Sequence, residues 1–247
     1  MKNVICMKWG DKFGPEYVNR LYKMVEKHLT IEHRFVCFTD NAEGLMEGIE
    51  VRPLPEMELD SALPERGWRK LTVFNEKLAD LEGQALFLDL DIVILDNINS
   101  FFEEEGEFLI IKDWDFKKDI IGNSSVFRFD IGKYPEILSN FIQNGDAVRE
   151  RHRNEQAYLS YAVYEKGQRE GRELLKYWPK DWCVSFKRNC LHKFPLNYFM
   201  MPKFPKNAKI LIFHGKPTPS QALKGYFGKM GFRYVKPTKW ISKYWEE

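Results

Sequence analysis

The sequence of 247 residues predicts an α/β protein in which helices cover both faces of a mostly parallel sheet. Two observations lead to this fold class. Several short segments are apolar on both sides of an extended chain, which is typical of strands buried in a parallel sheet. These segments alternate with stretches in which apolar residues recur at helical spacing. A chain of this length can also bury one core without the help of disulfide bonds.

The predicted elements alternate most regularly in the first half of the chain. The predicted strands lie at 4–7, 34–39, 49–54, 85–89, 108–111, 125–129 and 210–213. The predicted helices open at Pro15 and span 68–81, 134–143 and 153–165. Residues 56–67 are predicted to be a polar connector. Because ligands of parallel sheets bind at the carboxyl ends of the strands, the functional residues are expected there.

Composition and charge exclude several classes of function. The 38 Lys and Arg residues nearly balance the 36 Asp and Glu residues, and a net charge of +2 does not suit a dedicated nucleic-acid-binding protein. No apolar run approaches the roughly 18 residues of a membrane span, and the first residues become polar too early for a signal peptide. The four Cys residues form no Cys-x-x-Cys pair, which suits reduced thiols. We therefore expect a cytoplasmic protein.

Two Asp residues in the most apolar part of the sequence carry the strongest functional signal. Asp89 and Asp91 lie in the segment FLDLDIVI, where residues two apart share one side of an extended chain. Burying an unpaired carboxylate is costly, and a hard divalent cation such as Mg²⁺ or Mn²⁺ supplies the compensating charge. The alternative is a strand-end turn capped by Asp side chains. A second pair, Asp113 and Asp115, lies in the charged segment KDWDFKKD and is predicted to be a solvated loop.

A second signal is the segment ILIFHGKP. A predicted strand delivers His214 at its end, and Gly215 allows the backbone to turn close to a ligand. Beside a metal-bound diphosphate, the imidazole would be a ligand and the ammonium of Lys216 would neutralise the leaving phosphate. Without such a ligand, a His at a strand end is a hydrogen-bonded structural residue.

The sequence resembles the GT-A glycosyltransferases of glycosyltransferase family 8 over about residues 3–220. The resemblance rests on LFLDLDIVI and FHGKP, together with KWGDKFGPEYVNRLY, CFTDN, GWRKL and NSSVFRF, which are similar to a bacterial group of sugar transferases. It implies a GT-A fold, a Mn²⁺ or Mg²⁺ ion and a nucleotide-sugar donor such as a UDP-sugar. It also implies a glycan or lipid-linked acceptor, and transfer with retention of configuration at the anomeric carbon.

The resemblance implies roles for individual residues. Asp89, Asp91 and His214 correspond to the metal ligands and Lys216 to the phosphate lysine, although His214 and Lys216 stand closer together than in the family motif. The residues expected to bind the donor are Trp9, Asp40, Arg69, Lys70, Leu90, Asn123, Ser124 and Gly215.

Several of these assignments have open alternatives. Glu155 and Gln156 correspond to an acidic-Gln pair beside the reacting sugar, but Glu155 is equally a charge at a helix N-terminus. Arg69 and Lys70 would otherwise lie on a solvated helix face. A sugar nucleotidyltransferase shares this kind of sheet, but it needs a Gly-rich basic loop after the first strand. A non-catalytic module that binds sugar nucleotides or glycans is the third possibility.

Residues 222–247 are predicted to be an appendage to a catalytic domain at 1–221. They carry six basic residues against Glu246 and Glu247, interleaved with seven aromatic residues. Such a segment can bind an anionic membrane surface, where cations are attracted and Trp and Tyr side chains settle. The alternative is that these aromatic side chains pack onto the domain.

Overall fold

A seven-stranded mixed sheet forms the centre of the protein in a computed structural model that describes residues 1–58, 67–116, 119–228 and 233–245. Its strands are β1 (Lys2–Lys8), β2 (His33–Thr39), β3 (Glu50–Pro53), β4 (Gln84–Leu88), β6 (Phe108–Lys112), β7 (Gly122–Asp130) and β8 (Leu175–Tyr177). They lie in the order β3-β2-β1-β4-β7-β6-β8. Strand β7 runs antiparallel to β4 and β6, and the other neighbouring pairs are parallel. The predicted α/β class with a mostly parallel sheet is confirmed.

A second sheet of three short strands brings distant parts of the chain together. It contains β5 (Ile92–Ile94), β9 (Cys183–Ser185) and β10 (Ile210–Ile212), with β10 in the middle. Strands β10 and β5 are antiparallel, and Ile212 lies opposite Ile92. Asp91 directly precedes Ile92, and His214 follows Ile212 by two residues. The register therefore places His214 at the same end of this sheet as the turn at 89–91.

Helices cover both faces of the main sheet. On one face, the second sheet packs with α1 (Pro15–His28), α2 (Ser100–Glu103), α5 (Pro219–Lys224) and α6 (Ser242–Trp245). On the other face lie α3 (Pro135–Arg151), α4 (Glu155–Glu170) and a 3₁₀ helix (Trp68–Phe74). Strand β1 divides its side chains between the two cores, since Val4 and Cys6 point to the first and Ile5 and Met7 to the second.

One predicted helix differs from the structure, and the strand predicted at 85–89 is followed by a second strand that was not predicted. The segment predicted as a helix over 68–81 is helical only over Trp68–Phe74, and there it is a 3₁₀ helix. Residues 71–74 are all buried, so this segment is enclosed on every side instead of presenting one face, and its β-branched residues disfavour an α-helix. The apolar segment at 85–94 is two strands, β4 and β5, separated by a turn at 89–91. Within the predicted connector, residues 59–66 lie outside the described residues.

The described residues of the carboxyl-terminal segment pack onto the rest of the protein. Val235, Ile241 and Trp245 are buried in the core that also contains α1. The ring of Trp245 lies 5.4 Å from the ring of Tyr17, and its Nε1 donates a hydrogen bond to Ser220 Oγ at 3.3 Å. Six residues of the predicted appendage, those at 229–232 together with Glu246 and Glu247, lie outside the described residues. Within the described part of the chain, no helix has the length and apolar character needed to cross a membrane.

The packing of this segment predicts the effect of removing its last buried aromatic side chain. Trp245→Ala should lower the free energy of unfolding by about 3–5 kcal/mol, because the deleted ring leaves a cavity in the core. Phe227→Ala, whose side chain is 71% exposed, should change it by less than about 0.5 kcal/mol. Urea denaturation followed by tryptophan fluorescence and circular dichroism measures both. Equal, small effects would show that the segment does not contribute to the fold.

Candidate active site

A cleft of about 610 Å³ opens where β1 and β4 end. Its wall is formed by the loop after β1, the start of the 3₁₀ helix, the turn at 89–91, the start of β7, the start of α4 and the segment after β10. Eleven of the predicted site residues line it: Trp9, Lys70, Asp89, Leu90, Asp91, Asn123, Ser124, Glu155, Gln156, His214 and Gly215. The fold thus brings predicted site residues from six separate segments together in one cleft.

One buried ammonium group lies among the carboxylates of this cleft. Lys70 Nζ is 2.6 Å from Asp89 Oδ1 and 3.9 Å from Glu155 Oε1, and it donates a hydrogen bond to the carbonyl oxygen of Ser124 at 3.4 Å. Burial disfavours its charged form, but Asp89 and Glu155 more than offset this, so the pKa of Lys70 is raised. Lys70 is therefore a charged internal partner, and the alternative of a solvated helix face is wrong for this residue.

Asp91 carries the charge that this arrangement compensates least. Burial raises the pKa of Asp91 from 3.8 to about 7, and repulsion by Asp89 adds to the increase. Lys12 and Lys70 oppose this shift but do not cancel it. A divalent cation between the two carboxylates would supply the missing positive charge, and carboxylate oxygens suit Mg²⁺ or Mn²⁺. The chemistry of Asp89 and Asp91 therefore fits such an ion.

Glu155 is both a helix-start residue and a part of the cleft. Asn154 caps α4, since its Oδ1 accepts a hydrogen bond from the backbone N–H of Ala157 at 3.2 Å, and Glu155 is the first helical residue. The carboxylate of Glu155 is buried and accepts a hydrogen bond from Ser124 Oγ. Burial raises the pKa of Glu155, although Lys70 and Ser124 counteract it. Gly67 allows this approach, because a Cβ there would lie 3.2 Å from Glu155 Oε2.

A hydrogen-bonded chain of side chains fixes the amide of Gln156. Asn123 Nδ2 donates to Gln156 Oε1 at 3.3 Å, and Gln156 Nε2 donates to Asp113 Oδ2 at 3.4 Å. The other oxygen of Asp113 accepts backbone hydrogen bonds from Asp115 and Phe116. The prediction of a solvated loop is wrong for Asp113, which is buried because these donors satisfy its carboxylate. It is right for Asp115, which is exposed.

His214 is held in place by three contacts. Its Nε2 lies 2.7 Å from Ser185 Oγ, its ring stacks on Trp114 at 5.5 Å, and Lys187 Nζ donates to its carbonyl oxygen. Burial lowers the pKa of His214, as do the nearby cations, so the imidazole is neutral at pH 7. Within residues 1–58, 67–116, 119–228 and 233–245, no three His, Cys, Asp or Glu side chains are arranged to hold a metal ion by themselves. A role for His214 as third ligand stays a prediction.

Three predicted donor residues lie outside the lining of the cleft. Asp40 is exposed, and its Oδ2 accepts a hydrogen bond from the backbone N–H of Gly10 at 2.8 Å, so it supports the loop after β1. Arg69 is half-buried next to Lys70, and Lys216 is exposed beyond Gly215. Gly215 has a φ of 75°, which turns the chain away after His214.

Sequence reasoning missed several residues that line or support the cleft. Lys12 and Phe13 lie in the loop after β1, and Ser125 follows Ser124 in β7. A signal for Lys12 existed, because it lies in the same segment, KWGDKFG, as Trp9. Ser185 left no such signal, since only the tertiary structure brings it to His214.

The fold is similar to that of solved glycosyltransferases. The galactosyltransferase LgtC, solved in complex with donor and acceptor sugar analogues, matches with a TM-score of 0.58 and 13% identity over 98% of this chain and 94% of that chain. An active-site Gln-to-Glu mutant of LgtC gives a TM-score of 0.59, also at 13% identity and with the same coverage. GlyE of Streptococcus pneumoniae TIGR4 gives 0.56 at 11% identity, over 89% of this chain and 56% of that chain.

These similarities define the class of fold. The chain has the mixed α/β architecture of the GT-A glycosyltransferases, as the sequence predicted. No protein-family model matches the sequence, and no significant match to a curated protein was found.

The raised pKa of Asp91 predicts a pH-dependent gain in stability for Asp91→Asn in the presence of EDTA. The folded protein holds the Asp91 proton more firmly than the unfolded chain, so ionisation of Asp91 destabilises the fold as the pH rises from about 4 to about 7. Asn cannot ionise. The variant should gain almost nothing below about pH 4 and more than about 1 kcal/mol above pH 7.

Urea denaturation at several pH values between about 4 and 8 measures this gain. Asp96→Asn, a change at an exposed position after β5, is the matched control and should show no such pH dependence. A gain that is independent of pH would contradict the assignment of an unfavourable buried charge to Asp91.

Proposed function

We propose that this chain is a metal-dependent glycosyltransferase, similar to glycosyltransferase family 8, that transfers a sugar from a UDP-sugar to an acceptor hydroxyl with retention of configuration. One observation carries the proposal. Asp89 and Asp91 form a half-buried, undercompensated pair of carboxylates at the end of β4, inside the main cleft of a chain with the GT-A fold. Perturbed ionisable groups in a cleft are typical of functional sites.

In this proposal, Asp89 and Asp91 hold Mn²⁺ or Mg²⁺, with His214 as a third ligand. When bound, the ion would neutralise negative charge on the diphosphate as its bond to the sugar breaks. Lys70 already touches Asp89 at 2.6 Å, so it holds that carboxylate in the wall of the cleft. Oxygen atoms of the diphosphate would complete the coordination.

The nucleotide would bind at the end of β1. Met7 and Trp9 offer apolar surface to the base, and the backbone at Gly10 is held by Asp40. Lys12 adds a cation on the side of the cleft that faces Asp91. Arg69 and Lys216 lie further out, where they would approach phosphate groups only after the loops around them close on the donor.

The sugar would lie against the start of β7 and α4. Asn123, Ser124, Glu155 and Gln156 line this part of the cleft, and their hydrogen bonds to one another fix the orientation of the Gln156 amide. Its place in this lining supports a role for Gln156 beside the reacting sugar.

The proposed reaction breaks the bond between the anomeric carbon and the diphosphate oxygen and forms a bond from the acceptor oxygen to the same face. The acceptor proton passes to the departing phosphate oxygen. Lys70, Asn123 and Gln156 position the reactants in this scheme, and the buried cleft keeps water away from the anomeric carbon. The acceptor is a glycan or a lipid-linked sugar.

Donor binding tests this proposal through protein stability. A ligand present at one hundred times its Kd adds about 2.7 kcal/mol to the free energy of unfolding, which raises Tm by roughly 5–10 °C for a chain of this size. UDP with Mn²⁺ should produce this shift, and UDP in excess EDTA should not. Asp89→Asn and Asp91→Asn should each abolish the metal-dependent shift while the protein stays folded, whereas Asp96→Asn should keep it.

Two outcomes would contradict the proposal. An equal Tm shift in EDTA would show that donor binding does not need the metal. An unchanged Tm shift in Asp89→Asn and Asp91→Asn would show that the metal binds elsewhere. Product analysis separates the competing activities. A glycosyltransferase incubated with a UDP-sugar and acceptor releases UDP, a sugar nucleotidyltransferase exchanges pyrophosphate, and a binding module forms no product.

A further inference from the structure

Charge is distributed very unevenly along this nearly neutral chain. Residues 182–245 contain 13 of the 38 Lys and Arg residues and none of the 36 Asp and Glu residues. The net charge of the whole protein is close to zero because a cationic carboxyl-terminal quarter offsets an acidic remainder. A surface built from residues 182–245 attracts anions, and this attraction is stronger than the net charge of +2 would indicate.

The same part of the chain exposes large apolar side chains. Six of them lie within eleven consecutive residues: Phe194, Leu196, Phe199, Met200, Met201 and Phe204. Phe199 is 74% exposed and Phe194 is 59% exposed. Exposed apolar side chains scattered singly need no explanation, but a concentration of this kind marks an interaction surface. We call these six residues, together with Phe227, the apolar patch.

Ring contacts link Phe194 to Phe227, two members of the apolar patch that are distant in sequence. Phe194 contacts Tyr198, which stacks on Tyr234 at 5.0 Å, and Tyr234 contacts Phe227. Phe204 is 5.2 Å from Trp240, so it lies beside the carboxyl-terminal segment. Residues distant in sequence thus present apolar side chains side by side. Packing of these side chains onto the domain leaves their outer faces exposed.

Cations surround the apolar patch. Lys193, Lys203 and Lys206 are exposed within or next to the same segment. Lys236 Nζ donates a hydrogen bond to the carbonyl oxygen of Phe199 at 3.2 Å, which places an ammonium group beside the most exposed ring. Arg233 is exposed next to Tyr234. Apolar and cationic groups therefore share one surface.

The apolar patch also connects to the cleft. It directly follows a π-helical turn (Phe186–Cys190), and the residues of that turn contact His214 and the loop opposite. Lys187 Nζ donates to the carbonyl oxygen of His214, and Arg188 pairs with Asp115 at 2.8 Å. The segment that carries the apolar patch is thus anchored, through the turn that precedes it, at the end of the cleft that holds His214.

We propose that the apolar patch and its surrounding cations bind the surface of an anionic lipid bilayer. Acidic headgroups would pair with the exposed Lys and Arg side chains, and the Phe, Leu and Met side chains would enter the boundary between headgroups and acyl chains. A nucleic acid is a poorer match, because bases stack on aromatic rings, and Leu196, Met200 and Met201 offer none. Most of this surface lies outside the carboxyl-terminal segment predicted from sequence, which contributes Phe227, Arg233 and Lys236 to it and whose Trp245 is buried.

Sedimentation of the full chain with lipid vesicles tests this proposal. Vesicles of phosphatidylcholine with about 30 mol % phosphatidylglycerol should bind the protein at low salt, and binding should weaken at high salt because exposed charges are screened. Vesicles of phosphatidylcholine alone should bind it far less. Lys203→Gln and Lys206→Gln should each weaken binding by about fivefold, the contribution of one cation near an anionic surface.

A double variant tests the apolar part of the surface. Phe199→Ser with Met200→Ser should weaken binding by at least about tenfold, since two apolar side chains no longer enter the bilayer. The matched controls are Ile142→Ser, at a 64% exposed position on α3, and Lys77→Gln, at an exposed position before β4. Both controls should bind as the wild type does. Circular dichroism confirms that each variant is folded.

Three results would overturn the proposal. The first is no binding to anionic vesicles at low salt, and the second is equal binding by the double variant and by Ile142→Ser. The third is that the protein does not bind vesicles but forms a concentration-dependent dimer, which the double variant does not form. This result would show that the apolar patch binds a second copy of the chain. Because vesicle binding is measured without donor or metal, its failure would leave the proposed sugar transfer untouched.

Discussion

The structure of the cleft depends on one largely buried ammonium group that serves one buried carboxylate and two half-buried ones. Lys70 neutralises Asp89 directly and Glu155 at longer range, and the remaining negative charge falls on Asp91. A buried pair with good geometry can be tolerated, but an additional carboxylate in the same low-dielectric space is costly. Such a cost is typical of a site that binds a cation, and the GT-A fold places it where the ligands of parallel sheets bind.

The backbone arrangement around Lys70 explains why these charges meet at all. Strand β4 ends at Leu88, and the N–H of Asp89 then donates to the carbonyl oxygen of Ser125 at 2.9 Å, which fixes the first carboxylate against β7. The cap formed by Asn154 starts α4 so that Glu155 faces Ser124. The 3₁₀ helix contributes Lys70 from a third direction. Each side chain is thus held by an element with its own hydrogen bonds, which pre-organises the site.

Much of this arrangement could be predicted from local sequence, and the rest depends on contacts between distant segments. The alternation of apolar strands and helices predicted the sheet, and the position of Asp89 and Asp91 in an apolar segment predicted the site. Sequence alone left open whether Lys70 approaches the donor or lies on a solvated helix face, because the helical pattern at 68–81 fits both. The burial of Asp113 was missed for a similar reason: its partner Gln156 is 43 residues away. The pairing of β5 with β10 is likewise set by tertiary packing, although His214 was found from its own segment.

The proposed site for a divalent cation lies between Asp89 and Asp91, and one measurement tests it most directly. Crystals of the full chain grown with Mn²⁺ and UDP can be measured at the manganese absorption edge, where the anomalous signal marks the ion. We expect one strong peak about 2.1–2.3 Å from carboxylate oxygens of Asp89 and Asp91, with diphosphate oxygens on its other side. A peak at Asp113 and Asp115, or UDP bound in the cleft with no peak beside Asp89 and Asp91, would contradict the account.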